Sequence, residues 1–179
     1  MDRYISKAVA SVIRICIDEH NECDWKGRIY TRVNKEHIQF RNMYEMLSVL
    51  GYIWDVIGYP QESTMSRRFT DEPKQKSGPH IKAAIQVTYP GDGTRDRVRV
   101  ELSDEDMEKR HGEQGTFIVK IRYRQNATWQ GHVTWVEENK TVPFRSALEL
   151  MKLIDSTQEE NAQDREEEKR ISRKNNKRR

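Results

Sequence analysis

The chain has 179 residues and a net charge of +3, with charged and apolar residues almost equally frequent at 34% and 35%. That length suits one ordinary domain or two small ones sharing a core, and no stretch reaches the roughly 18 consecutive apolar residues of a membrane span. Two cysteines, Cys16 and Cys23, are too few for a disulfide framework, and the start lacks a basic n-region followed by an apolar stretch, so the expectation is a cytoplasmic protein with reduced thiols.

In chain order, the first strong signal is the alternation of Ile13, Ile15 and Ile17, the period of a half-buried strand. A polar turn around Glu22-Cys23-Asp24 follows, then a second strand at about 25–32 and a short third strand carrying Ile38 and Phe40. Asn42-Met43-Tyr44-Glu45 fits a capping box that starts a helix. Its apolar face continues through Met43, Met46, Leu47 and Leu50 to a stop at Gly58-Tyr59-Pro60.

The same series recurs 104 residues later. Trp25, Gly27, Phe40, Arg41 and Glu45 align without a gap with Trp129, Gly131, Phe144, Arg145 and Glu149. Phe117, Val119 and Ile121 repeat the first alternating strand, and Ser146 to Glu149 repeats the capping box. The shared Trp, Gly and Phe read as packing residues, with glycine permitting close approach of strand and helix.

Residues 61–80 read as a linker, 81–115 as an inserted hairpin (strands 81–89 and 96–102) with an acidic loop, and 158–179 as a charged tail. The tail holds eight basic and six acidic residues, and its last eleven hold seven basic and no acidic ones. The expected fold is α+β: two β-β-β-α units, 1–60 and 116–157, with helices packed on antiparallel sheet.

Motifs with chemistry are few. The chain has no phosphate-binding glycine loop, nucleophile elbow or zincin helix. Cys16, His20 and Cys23 are zinc-ligand types without a fourth ligand or ordinary spacing, so a buried thiol is the plainer reading and no metal or other cofactor is expected. Asp104, Glu105, Asp106 and Glu108 have the residue types for a divalent cation, but a like-charge run is usually a solvated loop. If Phe117, Val119, Ile121 and Tyr123 point one way, Lys120, Arg122 and Arg124 form a basic row on the other, with Gln130 and His132 beside it. Arg95, Arg97 and Arg99 form a second row, and Arg173, Lys174 and Lys177 stand in the basic tail. Such rows suit phosphate backbones or an acidic protein surface; a solvated sheet face is the alternative.

The stretch Phe117 to Gly131, the segment Phe144-Arg145-Ser146-Ala147-Leu148-Glu149-Leu150 and the segment Gly58 to Ser63 resemble a family of small proteins from anaerobic Gram-positive bacteria. The likeness covers residues 10–70 and 115–156 and carries no catalytic residues with it. The chain also resembles, more distantly, anti-CRISPR proteins that bind a Cas9-type nuclease. That resemblance implies a nucleoprotein partner, such as a Cas9–guide RNA complex, and a phage or mobile-element setting.

Three functions follow in order. The first is a non-enzymatic binding protein for a nucleic acid or nucleoprotein, contacting it through Lys120, Arg122, Arg124, Arg97, Arg99 and the tail. The second is a protein–protein scaffold or regulator. The third is a metal-dependent nuclease built on the acidic group. No membrane partner is expected, and the oligomeric state stays open.

Overall fold

The computed structural model describes residues 3–21, 24–62, 85–125 and 128–157. Its elements in chain order are β1 (Tyr4–Ser6), α1 (Lys7–Ala10), β2 (Ile13–Asn21), β3 (Asp24–Tyr30), β4 (Ile38–Phe40), α2 (Met43–Ile57), β5 (Arg97–Arg99), α3 (Asp104–Glu108), β6 (Gly115–Tyr123), β7 (Gln130–Trp135) and β8 (Lys140–Phe144). A final helix, α4, occupies 147–157. The fold is α+β.

β4-β3-β2-β6-β7-β8 form one six-stranded sheet in which every neighbouring pair is antiparallel. The central pairing is β2 with β6, placing Ile13 opposite Val119 and Ile15 opposite Phe117. Each alternating strand thereby turns its apolar side the same way. Registers on either side of this seam agree at the 104-residue offset. Ile17 faces Gly27 and Gly27 faces Phe40; Ile121 faces Gly131 and Gly131 faces Phe144. A bulge falls between Ile17 and Glu19 and again between Ile121 and Tyr123.

The inner sheet face and the two long helices share one core. Ile13, Ile15, Ile17, Phe117, Val119 and Ile121 pack there with Met46, Leu50, Ile53 and Trp54 of α2 and Leu150 and Ile154 of α4. Trp25 is fully buried, and Trp129, its counterpart, meets Trp54 edge to face at 4.9 Å. The Trp54 indole also donates to the Ser11 carbonyl at 2.9 Å, which satisfies its one polar atom in the core.

Both helices start as their sequences indicate. Asn42 accepts from the Glu45 N–H at 2.7 Å, and Ser146 accepts from the Glu149 N–H at 3.0 Å. The two glutamates reach back one residue further than a simple capping box requires, accepting from the Arg41 and Arg145 N–H groups at 2.8 and 2.6 Å. Asp24 adds a second tie, accepting from the Met43 N–H at 2.7 Å and joining the β2–β3 hairpin to the helix start. α2 ends at Gly58, whose φ of 71° lets its N–H close on the Trp54 carbonyl.

The insert docks differently from the expected hairpin. β5 pairs with β1, an element the sequence did not single out, and shares with 85–90 a backbone bond from the Arg99 N–H to the Thr88 carbonyl. Residues 81–84, where that hairpin was to begin, and most of the expected linker lie outside the described residues. Beyond β5, the chain crosses to the outer sheet face. There Leu102 and Met107 of the insert bury Cys16 of β2 and Tyr30 of β3 in a small second cluster. The acidic loop is thus in part the helix α3, capped by Ser103, with Met107 as its buried anchor.

Burial in this cluster pushes the Cys16 thiol up to about 11, against the opposing pull of Arg28 and Arg14. The thiolate is the reactive form, so native Cys16 is expected to resist iodoacetamide at pH 8 and to react in urea. Peptide-resolved alkylation reads this directly, and rapid native labelling of Cys16 would contradict its burial.

Candidate functional site

The outer face of the sheet has two unlike halves built on matching strands. On β2–β3 the charges are neutralised internally. Arg28 makes a bidentate pair with Asp18, both contacts 2.7 Å, and donates to the Tyr30 hydroxyl at 2.8 Å and the His111 carbonyl at 2.9 Å. Hydrogen bonding to Asp18 raises the affinity of the Arg28 guanidinium for its proton. Lys26 pairs with Glu19 at 2.7 Å. Arg14, buried on this face, donates to the Arg110 and Glu108 carbonyls of the insert at 2.6 and 3.3 Å.

On β6–β7–β8 the equivalent positions, 104 residues on, hold different chemistry. Cys16 becomes Lys120, Asp18 becomes Arg122, Glu19 becomes Tyr123, Lys26 becomes Gln130 and Arg28 becomes His132. Lys120 stands opposite His132, and Tyr123 opposite Gln130. Lys120, Arg122 and Tyr123 are exposed, Tyr123 at 53%. Among the described residues, Lys120 and Arg122 form no ion pair and no side-chain hydrogen bond. At the sheet edge beyond them, Thr134 and Thr141 share a hydroxyl–hydroxyl bond of 2.8 Å, and Pro143 is exposed.

Two expectations about this strand are corrected by the bulge. An extra residue between Ile121 and Tyr123 breaks the alternation, so Tyr123 joins the outer face instead of the apolar side. Arg124 moves the other way. It is 5% exposed and bonds Asp55 of α2 at 2.8 Å, with Glu62 at 3.7 Å, so it anchors the interior and is not part of a basic row. The glycine shared by the two units, Gly27 and Gly131, stands opposite the residue before each bulge, and is the signal that could have located it.

Arg97 and Arg99 stand in the separate β1–β5 sheet, flanking the buried Val98. Arg99 pairs with Glu101 at 3.1 Å, and Arg97 donates weakly to the Tyr4 carbonyl at 3.4 Å. They form no continuous ladder with Lys120 and Arg122. Arg173, Lys174 and Lys177 lie outside the described residues.

Neither a family model, a curated protein nor a solved structure matches this chain.

The acidic residues of α3 are engaged locally. Asp104 pairs with Arg32 at 2.5 Å and Arg3 at 3.7 Å, Asp106 bonds the capping Ser103 at 2.7 Å, and Lys109 reaches Glu105 at 3.0 Å. Their place in the first helical turn complements the helix dipole. Cys16 and His20 do not converge, because the first bulge separates them. Cys16 faces the insert and His20 faces Asp155 of α4 at 3.6 Å, while Cys23 is outside the described residues. Among the described residues no group of three or more His, Cys, Asp and Glu has an arrangement that could hold a metal ion.

Proposed function

We propose that this chain is a non-enzymatic cytoplasmic binding protein whose outer β6–β7–β8 face holds a nucleic acid, free or within a nucleoprotein. The observation that carries this reading is the contrast between two matching sheet halves. One neutralises its charges and is covered by the insert; the other, among the described residues, leaves Lys120 and Arg122 uncompensated and exposed. Unpaired cations on an open face supply the counterion-release affinity that phosphate backbones provide. The nucleoprotein version, inhibition of a Cas9-type nuclease, has its support in the sequence resemblance.

Fluorescence anisotropy over a salt series tests the proposal. Binding should weaken steeply with salt, and Lys120→Glu/Arg122→Glu should weaken it by about tenfold or more and flatten the slope of log affinity against log salt by roughly 1 to 2. Binding that ignores both salt and charge reversal would sink it.

A protein–protein role has one observation in its favour. Tyr44 and Leu148 occupy equivalent positions in the first turns of α2 and α4 and are 81% and 57% exposed. Under that reading, partner binding would depend on these two side chains and show little dependence on salt.

A further inference from the structure

We infer that the nucleic acid taken by this face is single-stranded. The inference rests on the binding reading above and identifies its ligand class. Three features of the face select a single strand.

The first is shape. Lys120 and Arg122 stand on β6, and the outer face continues from it across β7 and β8, with strands roughly 5 Å apart. A B-form major groove about 12 Å wide admits one helix or a two-stranded ribbon. A patch of three strands with their side chains, continuous with the rest of a six-stranded sheet, is too broad to enter it. α2 and α4 pack on the opposite face, and α3 lies over β2 and β3, so among the described residues no helix projects beside Lys120 and Arg122 to read a groove.

The second is the aromatic residue. Tyr123 is a large side chain brought onto the polar face by the bulge, and among the described residues it makes no ring contact or hydrogen bond. Its ring is available to stack on a base, which a single strand offers and a paired duplex conceals.

The third is the company it keeps. Arg122 is adjacent in sequence, and Lys120 lies within about 10 Å along the strand at roughly 3.3 Å per residue. Gln130 stands opposite the tyrosine and His132 opposite the lysine. Phosphate contacts, a stacking ring and side-chain hydrogen-bonding groups therefore share one small area, the combination that unpaired strands require.

The test uses the full chain with fluorescein-labelled oligothymidylate and oligouridylate about a dozen nucleotides long, within the usual site size for such platforms, and a duplex of equal length. Single strands should bind at least about tenfold more tightly than the duplex. Tyr123→Ala should lose roughly five- to a hundredfold on single strands, the range for one stacked base, without changing the salt slope. Tyr123→Phe should stay within about twofold of the parent, since stacking needs the ring and not the hydroxyl. Unchanged thermal midpoints would show that these exposed substitutions leave the fold intact. Equal or tighter duplex binding with Tyr123→Ala inert overturns the single-strand assignment. If Lys120→Glu/Arg122→Glu still weakens binding in that case, the proposed function survives. Failure of every oligonucleotide to bind removes both readings.

Discussion

Gly27→Ala and Gly131→Ala are each expected to destabilise the protein by about 3 kcal/mol or more. A Cβ at position 27 would overlap the Cys16 carbonyl oxygen across the strand pair and come within 2.9 Å of the Phe40 ring; at position 131 it would overlap the Lys120 carbonyl oxygen and lie 3.0 Å from the Ile121 Cα. The obstacle is the backbone of the neighbouring strand, which moves only by breaking its ladder. A rotamer change cannot relieve it. Both glycines sit at the bulges, so the substitution acts on the feature that sets which way the rest of β2 and β6 faces. Combining the two would consume most of the 5–15 kcal/mol typical of a domain. Gly51→Ala is the informative control. Its added Cβ would meet the Trp129 ring at an ordinary 3.4 Å within helix α2, and removing a helix-interior glycine usually gains about 0.5–1 kcal/mol. Urea unfolding followed by circular dichroism compares all three. A wild-type midpoint for Gly27→Ala would contradict the close approach of β2 to Gly27.

The glycines also show where sequence reading succeeds and where it stops. Period-two alternation in Ile13, Ile15 and Ile17, and in Phe117, Val119 and Ile121, sufficed to place two strands and their buried sides, because each strand buries one whole face. Capping chemistry located both helix starts, because Asn42 and Ser146 act within three residues of themselves. The role first given to the shared glycine was close approach to a helix, and the structure assigns that approach to the neighbouring strand. A bulge depends on tertiary pairing and carries no period of its own. That is why Tyr123 and Arg124 were both expected on the wrong side.

The docking of the insert was illegible for a related reason. Arg14, on a strand whose sequence reads as half-buried, is itself buried, and its partners are carbonyls of Glu108 and Arg110, over ninety residues away. Main-chain acceptors leave no trace in side-chain sequence. The candidate site emerged only once the covered half could be set beside the open one. Lys120 and Arg122 were legible as a basic row, but what distinguishes them from the equally charged Lys26 and Arg28 is that no carboxylate pairs with them among the described residues.

Arg124 carries the second large expected effect, and it separates anchoring from contact. Arg124→Met should destabilise the protein by about 3 kcal/mol, the usual scale for removing one member of a buried ion pair. Asp55 is 14% exposed and would lose the guanidinium that bonds it at 2.8 Å, in a place where water substitutes poorly. Among the described residues the Arg124 Nε has no hydrogen-bond partner, so this guanidinium is not fully satisfied there even with the pair intact. Its replacement by two apolar residues is therefore expected to be tolerated: Arg124→Met/Asp55→Leu should recover most of the loss, since an apolar pair avoids both desolvation penalties. Lysine should rescue poorly, because a point charge lacks the fork that reaches Asp55 and Glu62 together. Chemical denaturation of the two single variants and the double variant gives the coupling energy directly; strict additivity would mean that the pair contributes nothing as a pair. The same variants bear on binding. Arg124 fixes the end of β6 just beyond the bulge that presents Arg122 and Tyr123, so its loss should weaken nucleic-acid affinity while leaving the salt slope unchanged. A flattened slope would instead return Arg124 to the contact surface that its sequence position first implied.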